Sequence, residues 1–273
     1  MSLKAIVLSS LIAMNPVLDD LADSLRARGI SEKKIEKFVE NNDFEVDPRI
    51  KGFFESNPEK DSDEGKITYE EYRDILGLDR LITMIPGYVE QNKEDLLEAQ
   101  KKYGVDHRYI AAIKGVESRF GDNTGYFNLI NSLYSQFNME SRRGFASDHM
   151  ASLLRFSEKK DIPLEKLDKL KSSYAGAAGQ GQFLPRSLES KFVKVDDDLF
   201  TDRNFIFSIA NYLSNNRANH PVTGEPLRWD PDLNNEELAV RVGNYYAIWG
   251  YNRNVNYVKA VHELANALEY KGK

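Results

Sequence analysis

The spacing of apolar residues predicts a mainly α-helical fold. They recur at three- and four-residue intervals almost throughout, helix-capping residues stand at the boundaries of those runs, and no fixed long period repeats as a solenoid would require. Lys4 followed by Ala5–Ala13 has the length of a short signal h-region. It carries one basic residue and no small-x-small cleavage site, so an amphipathic first helix running on into Val17–Arg28 is the preferred reading.

Along the chain, Asn15-Pro16 opens a helix that Gly29 closes, and Ser31 opens Glu32–Glu40. Thr68 with Glu71 forms a capping box before Tyr69–Leu76. Pro86 is expected to open a long helix through Lys102, stopped by Gly104, and Asp106 to cap His107–Phe120. Further helices are expected at Leu129–Phe137, Phe145–Lys159, Pro163–Leu170, Asp202–Asn215, Glu236–Trp249 and Val255–Glu269. Two segments break the pattern. Asn57–Lys66 is acidic and turn-like; Ser172–Ser187 is rich in Gly, Ala, Ser and Gln and reads as a substrate-facing loop.

The 273 residues carry 37 Lys plus Arg against 43 Asp plus Glu, a net charge of −6, and no Cys. Disulfides, thiolate metal sites and a cysteine nucleophile are excluded, and the acidic balance argues against nucleic acid as a partner. No apolar run approaches the length of a membrane span, so a soluble globular protein is expected, with one large domain or two modest ones.

One carboxylate is out of place. In Asp106–Gly121 the apolar stripe is Ile110, Ile113, Val116 and Phe120, and Glu117 falls within the same sector. Burial disfavours its charged form, and a helix C-terminus adds negative partial charge, so both push its pKa up. A glutamic acid kept protonated near neutrality suits a general acid. The competing reading puts Glu117 at the stripe's edge, paired with Lys114 or Arg119 on a solvated surface.

Gly115-Val116-Glu117-Ser118-Arg119-Phe120-Gly121, read with Ser173-Tyr174-Ala175-Gly176-Ala177-Ala178-Gly179-Gln180-Gly181-Gln182-Phe183-Leu184-Pro185, resembles the catalytic helix and glycine-rich motif of the membrane-bound lytic murein transglycosylase B family of glycoside hydrolases. Tyr251-Asn252 with Tyr257 and Ala260-Val261 looks like that family's C-terminal motif, and Arg142-Arg143 like its arginine pair. The resemblance runs from about Tyr72 to Leu268. It implies a lysozyme-like helical fold with a smaller N-terminal helical lobe, residues 1–79, before a catalytic domain, residues 80–273. It also implies cleavage of the MurNAc-β-1,4-GlcNAc bond of peptidoglycan with 1,6-anhydro-MurNAc ends. Glu117 would be the single acid and then base. A hydrolase would need a second carboxylate, and Asp122 is poorly placed for that role.

By the same resemblance Ser173 and Gln182 line the cleft, Phe183 packs beneath a sugar, and Tyr251, Asn252 and Tyr257 form the opposite wall, with Tyr72 a further cleft tyrosine. Gln180 and Gln182 offer amide donors and acceptors beside glycines that let backbone approach a sugar. Arg142 and Arg143 would engage lactate or stem-peptide carboxylates, or else form a solvated turn before Gly144. Ala178 stands where the family more often has Met, and Arg186 where it has Ser.

No cofactor is required by this chemistry. Glu59-x-Asp61-x-Asp63 followed by Gly65, Ile67 and Glu71 looks like the second half of an EF-hand, making Glu59, Asp61, Asp63 and Glu71 calcium candidates. Glu64 interrupts that spacing, so an acidic surface loop is the preferred reading. Val195–Phe200 is short and lacks the turn glycine. His107, His149, His220 and His262 have no ligand spacing. Peptidoglycan glycan strands are the implied partner of a monomer in the periplasm or cell envelope. The alternatives on the same scaffold are a water-using muramidase and a non-catalytic peptidoglycan-binding protein.

Overall fold

A computed structural model describes residues 16–56, 67–215 and 245–268. The first helices are α1 (Pro16–Arg26), α2 (Glu32–Glu40), α3 (Pro48–Ser56), α4 (Tyr69–Leu76), α5 (Leu78–Gln91), α6 (Lys93–Tyr103) and α7 (His107–Ser118). After the short strand β1 (Phe127–Asn128) come α8 (Leu129–Phe137), a 3-10 turn at Glu140–Arg142, α9 (Arg143–Lys159) and α10 (Leu164–Leu167). Strand β2 (Lys171–Ser172), α11 (Pro185–Lys191), α12 (Asp202–Asn215), α13 (Tyr245–Tyr251) and α14 (Val255–Asn266) complete the order. The mainly α expectation holds.

Most boundaries follow local chemistry. The Thr68 hydroxyl accepts from the Glu71 N–H while the Glu71 carboxylate accepts from Thr68, so the capping box is present. Gly104 ends α6 in the left-handed region, and Asp106 accepts from the Arg108 N–H to start α7. Ser31 precedes α2 without a side-chain cap.

Four expectations are corrected. Pro86 lies inside α5, because Gly77, left-handed, both ends α4 and starts α5 well upstream. The break comes at Asn92, whose amide bonds the Tyr88 carbonyl. Helix α7 stops at Ser118 rather than Phe120, since Arg119 and Phe120 both turn left-handed, with φ of 52° and 61°. The 163–170 run yields only one turn of helix before the chain pairs in β2, and the loop expected through Ser187 ends two residues earlier because Pro185 opens α11. Residues 1–15, with the signal-like segment, the acidic loop 57–66, His220, residues 236–244 and Glu269 lie outside the described residues.

Backbone contacts group the chain into two compact units, each made of two stretches: Met1–Glu59 with Thr124–Ser190, and Lys60–Asn123 with Lys191–Lys273. The sequence reading divides the chain once, at 79/80. In the first unit α8 and α9 pack together, α1 lies on α9 and α3 on α8. There β1 pairs antiparallel with β2, Phe127 opposite Ser172. In the second unit α7 is the central helix, packed by α5, α6, α12 and α14, with α13 on α14. Tyr109 through Gly115 are all buried. A helix encircled in this way has no solvated stripe, unlike the one-sided helix the periodicity suggests.

Gly125 fixes the entry to β1. Its φ is +104°, and a Cβ there would lie 2.1 Å from the Ser172 carbonyl oxygen, an atom held by the strand pair. Gly125→Ala is therefore expected to lower stability by at least about 2 kcal/mol in urea unfolding, far more than a surface substitution would.

Candidate active site

In the second unit Glu117 is the penultimate residue of α7 and is largely shielded from solvent. Its Oε1 accepts a hydrogen bond from Tyr257 Oη at 2.6 Å. Burial pushes the carboxyl up to about 7, and the Tyr257 hydroxyl pulls the other way by favouring the ionised form. The solvated-surface alternative fails: burial shields Glu117 beside Tyr257, and Lys114 is fully buried and pairs with Asp202.

Three tyrosines feel the Glu117 charge. Burial first and that charge second raise the hydroxyl of Tyr72, on α4, to about 12, and raise those of Tyr251 and Tyr257 well above the ordinary phenol value. All three stay protonated as hydrogen-bond donors. The rings of Tyr251 and Tyr257 stack at 6.5 Å and 11°, and Tyr212 packs on Tyr251 at 4.5 Å. Asn252 is exposed just after α13.

Each tyrosine is placed by local structure. Tyr257 sits in the first turn of α14, where Asn254 Oδ1 accepts from the N–H groups of Asn256 and Tyr257 at 2.8 and 3.3 Å. Helix α4 is fastened to α14 because Glu263 accepts from Tyr69 Oη at 2.6 Å and from Arg73 Nε at 3.1 Å. The N-cap Asn254 is a positioning residue that the motif reading misses. An Asn directly before an apolar helical run is the signal for it.

The first unit holds the other candidates. Ser173 Oγ accepts from the Ala177 N–H at 3.2 Å, and its carbonyl accepts from the Ser132 hydroxyl. Gln182, left-handed at φ 46°, donates from Nε2 to the Thr124 carbonyl at 3.1 Å and to that of Gly179 at 2.9 Å. Its amide nitrogen thus braces the loop. Gln180 is partly exposed in the same loop.

Three further candidates are held by the protein itself. Phe183 is only 2 % exposed and belongs to the core. Arg142 is sandwiched between the rings of Phe54 and Phe145, 4.6 and 4.0 Å from their centroids, and donates to Gln136. Arg143 bonds the Phe137 carbonyl and pairs with Asp20 at 3.3 Å. Both arginines have protein partners, and Arg143 remains exposed beside Gly144.

Of the calcium candidates, Glu59, Asp61 and Asp63 lie outside the described residues, and the Glu71 carboxylate is engaged in the capping box. Among the described residues no group of three acidic, His or Cys side chains is arranged to hold a metal. His149 and His262 are buried and pushed down to about 4 by desolvation. No helix of the described residues is long and apolar enough to cross a membrane.

Known proteins match this chain widely. It is 29% identical over 224 residues to membrane-bound lytic murein transglycosylase B of Escherichia coli strain K12, covering 65% of this chain and 61% of that protein. Soluble lytic transglycosylase SltB1 from Pseudomonas aeruginosa superposes with a TM-score of 0.74 at 24% identity, covering 95% of this chain and 100% of that one. SltB3 from P. aeruginosa, solved with NAG-anhNAM-pentapeptide, gives 0.73 at 20% identity over 94% of this chain and 79% of that one. The fold is that of these proteins. A family model described as Transglycosylase SLT domain matches residues 13–225, and the chain belongs to that family.

Proposed function

We propose that the chain is a lytic transglycosylase, cutting the MurNAc-β-1,4-GlcNAc bond of peptidoglycan and leaving 1,6-anhydro-MurNAc ends. The observation that carries this is a single shielded carboxyl, Glu117, poised near neutrality against a tyrosine hydroxyl. Burial and Tyr257 set its proton affinity, while Asp122 is exposed beyond the helix end. One carboxyl suits a reaction in which the substrate supplies its own nucleophile; hydrolysis with retention or inversion calls for two.

Glu117 in its acid form protonates the glycosidic oxygen, and the GlcNAc side departs with a new hydroxyl. The resulting carboxylate takes the proton from the muramoyl C6 hydroxyl as that oxygen bonds to C1, so Glu117 ends as it began and no water is consumed. Tyr257 donates to the carboxyl and steadies its charged form, while Tyr72 and Tyr251, near enough to feel that charge, keep their protons as donors for charge developing at the sugar. Asn252, exposed just after α13 in the same unit, adds an amide for the glycan. The peptide-bearing disaccharide bound by SltB3 supports peptidoglycan as the substrate class, and such a substrate places the protein in the cell envelope.

Glu117→Gln is expected to abolish lysis, by about a thousandfold or more, while fragment binding measured by calorimetry stays nearly intact. Products identified by mass spectrometry should be anhydromuramoyl, one water lighter than hydrolytic ones; reducing ends would instead establish a muramidase. A Glu117→Gln protein that still lyses glycan would refute the assignment.

Tyr257→Phe removes a bond that favours the carboxylate, so the Glu117 pKa should rise. The alkaline limb of the activity profile is expected to move up by about half a unit or more. Stability carries the same signature. The folded state binds the Glu117 proton more tightly than an ordinary carboxyl near 4.5, so that contribution is complete below about pH 4.5 and is lost as pH rises through about 7. Glu117→Gln never ionises. Urea titrations should find it more stable than wild type by about 1–3 kcal/mol near pH 8, with little difference near pH 4.

A further inference from the structure

Lys114 lies one helical turn before Glu117 on α7 and is fully buried. Its Nζ pairs with Oδ1 of Asp202, the first residue of α12, and the same oxygen accepts from Tyr88 Oη of α5 at 3.3 Å. The Lys114 ammonium also lies 5.2 Å from the centre of the Tyr88 ring. Three helices are thus tied through one charge cluster.

The cluster reaches the strained end of α7. Tyr88 stacks on Phe120 at 4.8 Å and 27°. Phe120 and Arg119 are consecutive non-glycine residues with positive φ, a conformation that persists only where surroundings enforce it. Phe120 is held from the other side too, since its ring lies over Gly115, where a Cβ would come within 2.7 Å of it. Glu117 sits between these anchors, two residues before the left-handed pair.

A buried ammonium is a poor way to fill a core, because apolar residues of similar volume in place of a buried ion pair are often neutral or stabilising. Its place beneath the strained turn gives it another use. We propose that Lys114 and Asp202, with Tyr88 and Phe120, form a clasp that fixes the end of α7 and so positions the Glu117 carboxyl against Tyr257. Lys114 and Asp202 are then positioning residues for the reaction, an inference that rests on Glu117 being the acid.

Lys114→Met keeps the length of the side chain and removes its charge, and Asp202, 42% exposed, can turn toward water. The expected result is a folded protein by circular dichroism, KM for a glycan fragment within about threefold of wild type, and kcat lower by about tenfold or more. Glu117, facing Tyr72, Tyr251 and Tyr257, should lose its hold on the Tyr257 hydroxyl, and the Lys114 charge that favours its ionised form is gone. Its limb in the pH profile should therefore move up by about half a unit or more.

The double variant Lys114→Met/Asp202→Leu replaces the whole pair with apolar groups and decides the matter if the single variant does not fold. It is expected to fold and to stay about tenfold slow. Wild-type kcat and an unmoved pH profile in either folded variant would overturn the clasp. Glu117→Gln assayed alongside separates the two failures: wild-type lysis there refutes the acid itself, whereas abolished lysis with an unaffected Lys114→Met refutes the clasp alone.

Discussion

The proposed chemistry depends on one hydrogen bond to one shielded carboxyl. Burial alone would drive Glu117 further toward the neutral form, and a carboxyl held too firmly neutral would be slow to give up its proton to the glycosidic oxygen. The Tyr257 hydroxyl opposes that drift, and the balance rests near neutrality. Both halves of an acid-then-base cycle are accessible to such a group.

The remainder of the second unit reads as support for that pair. Helix α7 is encircled by neighbours and ends in two left-handed residues, so its last turn has little room to move. Asn254 fixes the start of the helix that delivers Tyr257, and Glu263 fastens α4, which carries Tyr72, to the same helix. In the first unit the glycine-rich loop is held by hydrogen bonds to backbone groups. Ser173 and Gln182 spend much of their hydrogen-bonding capacity bracing the glycine-rich loop, and that keeps the loop's shape independent of any ligand.

Much of the fold is legible in the sequence because its signals are local. Glu32–Glu40, Tyr69–Leu76, Leu129–Phe137 and Asp202–Asn215 follow from apolar spacing and caps alone. Failures occur where distant partners decide. Pro86 sits within a helix because Gly77 starts that helix upstream, and Lys114 is buried because α12 brings Asp202 to it, neither of which periodicity reports. Glu117 is legible from its place in the stripe, with its motif adding the chemistry. For Phe183, Arg142 and Arg143, residue type does not report the packing: the 2 % exposure of Phe183, the Phe54 ring over Arg142 and the Asp20 carboxylate beside Arg143 come from the folded surroundings.

The interleaving of the two units bears on how the chain is made. Each unit draws on an early and a late stretch, so on a ribosome the apolar faces of α1, α2 and α3 emerge long before α8 and α9 exist to cover them. Helix α7 likewise waits for α12 and α14, its last walls, to be translated. Nascent intermediates therefore expose half-built cores through most of elongation, a state prone to self-association that holdase chaperones are suited to shield.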